Sequence, residues 1–436
     1  MKKLFLFAAL IMNALVLNAK EGIVEYEGFY FSYDDSGDIA TKLKLIHHES
    51  YANMTTANIP SGWGDGVDFN FVTEIESGAF DGCTKLTSVT IPLLVNKIGL
   101  DDTFKGCTSL TSISVDSDNP YYSSQNGVLY NKNKDTILCC PPGKTGDLTI
   151  PNTVTTMANS TFEDGSKITT LTIPSALVNI DCIGWTPFKY CTNLTAFIVD
   201  PANPNFSSED GVLFNKDKTQ LYAYPASKAG AYTIPSTVTG MLAYSFFNST
   251  GLTSVDIPSG VTEFPPFAFA GCTGLQSITC HNTDNPVSVG QLAFGGSIPG
   301  LSYPAVDKST CIVTVPSALM AAYRTANEWQ DFAHIQGIYP FHYVDKEGQE
   351  LGGESYILHV PDAPEIAGFT FLRWEPVAAD IANGITIQAM YQSNTPSNAP
   401  EVYTNPANPA QKLIRNGNVY VLSNGETYTI TGAKIR

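Results

Sequence analysis

The chain has 436 residues and carries 41 acidic against 24 basic side chains, a formal net charge of −17. It is too long for one compact core and too acidic to bind a nucleic-acid backbone. Charged residues make up 15% of it, against about 25% in ordinary domains, while 35 Gly, 27 Pro, 21 Tyr and 23 Phe point to a turn-rich β protein rather than a disordered one.

In chain order, residues 1–19 set Lys2 and Lys3 before a short apolar run that closes on Ala19, the pattern of a secretory signal peptide. No Cys follows that run before Cys83, so no lipid-anchored Cys starts the mature chain, and no later run is long and apolar enough to span a bilayer. Residues 21–48 alternate around Asp34-Asp-Ser-Gly37 and predict an N-terminal hairpin cap within a capping segment, 20–66.

From there the chain repeats itself. Leu-Thr-Ser-Val-Thr-Ile-Pro at 86–92, Leu-Thr-Ser-Ile-Ser-Val at 110–115, Ile-Thr-Thr-Leu-Thr-Ile-Pro at 168–174, Leu-Thr-Ala-Phe-Ile-Val at 194–199, Leu-Thr-Ser-Val-Asp-Ile-Pro at 252–258 and Leu-Gln-Ser-Ile-Thr-Cys at 275–280 each alternate apolar and polar residues. Each predicts a short strand with one buried face. Ahead of most stands an aromatic and a small sulfur side chain around a tight turn: Ala79-Phe-Asp-Gly-Cys83, Thr103-Phe-Lys-Gly-Cys107, Pro187-Phe-Lys-Tyr-Cys191 and Ala268-Phe-Ala-Gly-Cys272. Leu86 and Leu110 are 24 residues apart and Leu252 and Leu275 are 23 apart, one coil of a solenoid with parallel strands. Pro92, Pro151, Pro174, Pro235 and Pro258 end strands, lacking the N–H that pairing needs.

Longer coils are themselves repeated. A shift of 84 residues aligns Asn119-Pro120 with Asn203-Pro204, Gly127-Val-Leu129 with Gly211-Val-Leu213, and Thr149-Ile-Pro151 with Thr233-Ile-Pro235 without a gap, a tandem duplication. Within each copy, 127–138 and 211–222 predict two strands joined by a polar Asn/Lys/Asp turn, a hairpin at the solenoid edge.

These residues resemble the leucine-rich repeats of the BspA-like surface proteins of Bacteroidetes, whose units run Ala-Phe-x-Gly-Cys-x-x-Leu-x-x-Ile-x-Ile-Pro. The resemblance covers 67–338 and implies a β-rich repeat solenoid with short parallel strands, projecting hairpins and capping elements. Ser166 and Thr250 stand where two coils would carry Cys, and 181–187 holds a short insertion. After a last strand at 311–316, Ser317 is positioned to N-cap a helix bearing Leu319 and Tyr323, followed by Trp329 and Phe332, similar to the helical cap common in the family. Residues 339–392 resemble the small β module named for Listeria and Bacteroides surface proteins. Residues 393–410, rich in Pro, Asn and Ala, read as a linker. Residues 411–436, with Asn-Gly turns between alternating segments, resemble the C-terminal tails of exported Bacteroidetes proteins and form a candidate sorting or attachment signal.

Nine cysteines would be free to form disulfides after export. Cys83, Cys107, Cys191 and Cys272 share one register, where a small apolar side chain is wanted, and read as core thiols; the state of Cys139, Cys140, Cys182, Cys280 and Cys311 is open at this point. The six His do not pair with Cys at zinc-site spacing. No zinc helix, nucleophile elbow, Walker loop or dinucleotide turn occurs, so no catalytic, cofactor or metal residue is assigned. His47-His48-Glu49 reads as a solvated face, and Asp116-Ser-Asp118-Asn119 lacks the Gly and distal Glu of a calcium loop.

The expected function is a secreted or cell-surface interaction protein contacting an extracellular protein or glycan, with adhesion implied by the family resemblance. The alternatives are an exported glycan-binding or glycan-processing accessory, or an envelope scaffold without a dedicated ligand. The partners expected include an outer-membrane export or attachment system and exclude nucleic acid. Tyr121, Tyr122 and Tyr130 in the first copy, with Phe206 and Phe214 in the second, are candidate contact residues; the alternative is that they pack each hairpin onto its coil.

Overall fold

Alternation builds the inner wall of each coil. Ser88–Ile91 turns Val89 and Ile91 fully inward and Ser88 and Thr90 outward, and Lys167–Ile173 buries Ile168, Leu171 and Ile173, with a register shift at Thr169 breaking the alternation once. The computed structural model describes residues 21–34, 40–64, 69–100, 102–162, 167–181 and 186–338, and strands at 341–344, 369–380, 384–393, 411–415, 418–423, 426–429 and 434–435. Residues 1–20 and most of the 393–410 segment lie outside the described residues. The chain falls into two units, one of 1–277 with 287–307, the other of 278–286 with 308–436.

In the first unit, strands of successive coils pair in parallel and in register. Thr56–Asn58 pairs with Ser88–Ile91, which pairs with Ser112–Val115 so that Val89 faces Ile113. A second block joins Thr145–Thr149, Lys167–Ile173 and Ala196–Val199, and a third begins with Gly230–Thr233 against Leu252–Ile257. The expected prolines end these strands: Pro92, Pro174 and Pro258 directly follow Ile91, Ile173 and Ile257. Where one unbroken ladder is expected from the repeat, three separate sheets occur. The reason is local: Ile113 N–H bonds the Gly127 carbonyl (2.9 Å) and Val115 N–H bonds Ser124 Oγ (3.1 Å), so a hairpin takes the edge that the next parallel strand would use.

Turns stack as closely as strands do. Phe80 N–H donates to the Thr103 carbonyl (3.0 Å) and Gly82 N–H to the Lys105 carbonyl (2.7 Å) one coil on, which superposes the core aromatics: Phe80 and Phe104 lie 5.9 Å apart with planes 6° from parallel. Farther along, Phe246, Phe269 and Phe294 continue such a column at 4.8 and 6.2 Å. Offset stacks of this kind add to the area each ring buries. One register differs from the sequence reading: Ser249, not Thr250, takes the Cys position of its coil. Ser249 N–H bonds Phe246 and its carbonyl takes Leu252 N–H (both 3.2 Å), as Cys83 does with Phe80 and Leu86 (both 3.1 Å). Ser166 lies outside the described residues.

Both ends of the repeats depart from the sequence reading in detail. The N-terminal cap is not a single hairpin but three antiparallel strands, Glu21–Tyr26, Phe29–Asp34 and Ala40–Leu45. The extra turn is Glu27-Gly28, with φ of 52° and 81°, the left-handed pair of a tight hairpin. Ala40–Leu45 then runs parallel to Phe69–Ile75, and Tyr26 stacks on Trp63 at 4.2 Å over the first core. In the second unit Ser317 is not an N-cap. Pro316 ends the strand Ile312–Pro316 in an extended conformation and occupies the cap position itself, so Ser317 opens a 3-10 turn, Ser317–Leu319, with no side-chain cap bond. A single α turn, Met320–Tyr323, follows. Tyr323, Trp329 and Phe332 are buried together, and His334–Ile338 pairs in parallel with Ile312–Pro316.

Farther on, Phe341–Val344 and Phe369–Asp380 both pair with Gly384–Ser393. The tail forms an antiparallel sheet of Gln411–Arg415, Asn418–Ser423, Glu426–Thr429 and Lys434–Ile435. Among the described residues no helix is long and apolar enough to cross a membrane.

Candidate interaction surface

The duplicated hairpins are the most elaborate feature of the first unit, and each is a three-strand meander. Tyr122–Gln125, Val128–Asn131 and Thr136–Cys139 are antiparallel neighbours, as are Phe206–Glu209, Val212–Asn215 and Gln220–Ala223. The sequence reading found the second and third strands and missed the first, whose signal was Asn126-Gly127 and Asp210-Gly211. Both pairs have positive φ at each residue (53° and 78°; 50° and 78°), which the two-residue hairpin turn requires. A Cβ at Gly127 would come within 3.0 Å of the Ser112 backbone, and one at Gly211 within 3.1 Å of Ala196 Cβ, so glycine also lets the turn lie against the coil.

A buried asparagine anchors each meander. Asn119 Nδ2 donates to the carbonyls of Pro92 and Val95 (2.8 and 3.0 Å), and its Oδ1 accepts from Tyr121 and Tyr122 N–H (both 2.8 Å). Asn203 repeats this with Pro174, Leu177, Asn205 and Phe206 at 2.7 to 2.9 Å. Both are fully buried. A second asparagine closes the polar turn: Asn131 Oδ1 accepts from Asp135 and Thr136 N–H, Asn215 Oδ1 from Thr219 and Gln220 N–H. Lys132 and Lys216 place their ammonium on the carbonyls of Asn119 and Asn203 (2.5 and 2.6 Å). Asp116 and Asp200 carboxylates accept the N–H two residues on, so these aspartates make turns.

The five candidate contact residues separate by burial. Tyr130, Phe206 and Phe214 are buried and pack the hairpins onto their coils, while Tyr122 is half-buried and its hydroxyl reaches the Asn96 carbonyl (3.3 Å). Only Tyr121, 50% exposed, keeps a contact reading among the five. Burial pushes the Tyr130 phenol up to about 12. His48 stacks on Tyr30 at 3.5 Å and caps the 3-10 turn Glu49–Asn53 by accepting Ser50 N–H. The eight described cysteines are buried thiols; Cys107 donates to the Phe80 carbonyl (3.1 Å) and Cys272 to the Phe246 carbonyl (3.0 Å), bonds that run to the preceding coil. Complete burial pushes the Cys272 thiol up. Cys182 lies outside the described residues.

The repeated sequence that builds these coils matches a known repeat. The sequence profile of the BspA type leucine rich repeat region matches six copies here, over residues 23–137, 143–214 and 218–304. The chain belongs to the BspA-type leucine-rich repeat family. No curated protein matches its sequence. Among solved structures it is similar to the pneumococcal vaccine antigen PcpA (17% identity over 67% of this chain and 81% of that one, TM-score 0.40). It is also similar to a leucine-rich cell surface protein of Faecalibacterium prausnitzii (18%, 72% and 94%, 0.35) and to a leucine-rich repeat protein of Bacteroides ovatus (15%, 76% and 94%, 0.24).

Within the BspA-type coils, the residue two before the core Phe holds a left-handed backbone. It is Gly78 and Asp102 in early coils (φ 73° and 58°) but Tyr244, Phe267 and Leu292 in later ones (φ 62°, 61° and 50°). Asp102 pairs with Lys105 at 3.1 Å. Tyr244 and Phe267 instead stack on each other at 4.6 Å.

Proposed function

We propose that this BspA-type protein is exported and displayed at the cell surface, where its coils serve as a non-enzymatic scaffold that binds extracellular proteins. The observation that carries this reading is the duplication. Both meanders keep the buried-asparagine anchor, the bonds to Asn131 and Asn215 Oδ1 and the lysine–carbonyl bonds, whereas Tyr121 in one stands where Asn205 does in the other. A frame held constant beneath a changing surface suits recognition through many weak contacts. In this reading residues 1–19 are removed on export, 20–66 cap the solenoid, 67–338 form it, 339–392 are a separate module on the 393–410 linker, and 411–436 are read by an outer-membrane export or attachment system.

Binding of the purified full chain to a panel of immobilised matrix and cell-surface proteins tests the scaffold; capture of none removes the protein-binding reading. Labelling intact cells with an antibody to the repeats, with and without residues 411–436, tests the tail. Equal labelling of both strains removes its sorting role.

A further inference from the structure

The turn edge of the later coils in the first unit differs from that of the early coils in side chain and charge, on the same left-handed backbone. Tyr244 and Phe267 occupy left-handed conformations that bulky side chains rarely adopt, and such outliers persist where the surroundings fix them for a purpose. Around them the rings stand as walls: Tyr190 meets Phe247 at 80°, Phe247 meets Tyr303 at 85°, and Phe267 meets Tyr303 at 69°, all within 6.2 Å. Tyr190 is 39% exposed, and Phe267 and Tyr303 are half-buried. The Lys189 ammonium sits over Tyr190 and Tyr244, 4.9 and 5.5 Å from their centroids.

Charge is distributed just as unevenly. The chain holds 41 Asp and Glu, yet the segments that make this edge, 186–191, 243–248, 266–271 and 291–303, contain none. The equivalent turns of the early coils carry Asp81 and Asp102. A basic partner would find no carboxylate here, and a polyanion would meet a strongly acidic chain.

We propose that this edge is a binding site for an uncharged oligosaccharide. The C–H faces of a pyranose pack against the Tyr190, Phe267 and Tyr303 rings, and its hydroxyls exchange hydrogen bonds with the tyrosine phenols and the Lys189 ammonium. The Tyr244 phenol bonds the Tyr303 phenol, and a pyranose, which carries hydroxyls beside its C–H faces, can join such a pair where the side chains of an apolar helix cannot. The site is independent of the protein-binding reading above.

Affinity electrophoresis of the full chain through gels containing a β-glucan, a mannan or a galactan tests it. At least one of these neutral polymers should retard the chain, and added salt should leave the retardation unchanged, because no ion pair is involved. Tyr190→Ala and Tyr303→Ala should each weaken it about tenfold without altering the circular dichroism, and Tyr303→Phe should weaken it less. Lys105→Ala, on the early edge, should behave as the unaltered chain. Retardation by none of the polymers, or retardation that survives both Ala changes, overturns the proposal. So does a protein partner whose capture depends on Tyr190 while no polymer binds.

Discussion

The two meanders, 84 residues apart, separate what the fold requires from what it tolerates. Asn119 and Asn203, Lys132 and Lys216, and the Oδ1 atoms of Asn131 and Asn215 bond equivalent backbone groups, and the carbonyls of Gly127 and Gly211 accept equivalent strand N–H groups. Even the register shift recurs, at Leu129/Tyr130 and at Leu213/Phe214. Beside that constancy, Cys139-Cys140 becomes Ala223-Tyr224, Tyr130 becomes Phe214, and Tyr121 becomes Asn205. The anchor held fixed, Asn119 in one copy and Asn203 in the other, is polar and fully buried. A buried polar group left without partners costs far more than an apolar neighbour exchanged for another of similar size. The meander is therefore anchored by its buried asparagine, and those apolar contacts that Tyr130, Cys139 and Cys140 make are negotiable, while Val128 and Leu129 recur as Val212 and Leu213.

The sharpest way to break the comparison is at its anchor. Asn119→Ala removes four hydrogen bonds from a fully buried site and leaves two carbonyls and two N–H groups to find other partners. A loss of about 3 kcal/mol is expected, measured by urea unfolding, and Asn203→Ala should match it. A twofold difference between the two would show that the copies are not equivalent frames.

Alkali should distinguish the copies where neutral pH does not. The Tyr130 phenol is raised from 10 to about 12, chiefly by burial, and Phe214 has nothing to ionise. A phenol whose folded value lies above its unfolded value contributes stability that is complete below pH 10. It is lost as pH climbs toward 12, on the order of 2 kcal/mol in all. Hydrogen exchange or limited proteolysis across that range should show 122–139 loosening, and Tyr130→Phe should move that loosening to higher pH, while the second copy responds through Tyr224, whose phenol burial also raises.

How far the sequence exposed this fold follows from which rule each residue obeys. Val89, Ile113, Leu171 and Phe197 were legible because a strand shows its buried face every second residue. The 84-residue duplication was legible as identity. Asn119 was visible as part of a repeated Asn-Pro, but its role depends on carbonyls of Pro92 and Val95 that come from the preceding coil, and spacing does not encode a contact at that distance. Tyr244 and Phe267 were hidden for a different reason. Left-handed positions are read from Gly, Asn and Asp, and these two residues hold that conformation against the local rule, so the repeat motif places Phe267 opposite Gly78 but only the structure shows that they share a backbone. Ser317 was misread because Pro316 ended a strand and began a turn at once.

A milder test converts one copy toward the other. Cys139 and Ala223 occupy the same place, both nearly buried, so Cys139→Ala asks whether the second copy's solution works in the first. The lost sulfur should cost about 1 kcal/mol or less, read from the shift in the unfolding midpoint, and reductant should have no further effect because the described cysteines are thiols. A loss above 3 kcal/mol would mean that Cys139 serves the first meander in a way Ala223 does not serve the second.

The smallest effect is expected where the copies differ most in chemistry. Tyr121 is half exposed, and its backbone N–H is held by Asn119 whatever side chain it bears. In the second copy Asn205 keeps the equivalent backbone bond to Asn203 and adds a side-chain bond to the Val178 carbonyl at 2.6 Å. Tyr121→Asn should therefore change stability by no more than about 0.5 kcal/mol. The Asn96 carbonyl holds the place of Val178, each following the second carbonyl that the anchor asparagine bonds, but it is already engaged by the Tyr122 hydroxyl, so no compensating bond is expected. A surface change without a stability change is what a contact residue offers: if Tyr121 belongs to a recognition surface, Tyr121→Asn lowers capture by a bound extracellular protein while the unfolding curve stays in place. Unchanged capture together with an unchanged curve would withdraw the contact role from the last of the five aromatic candidates.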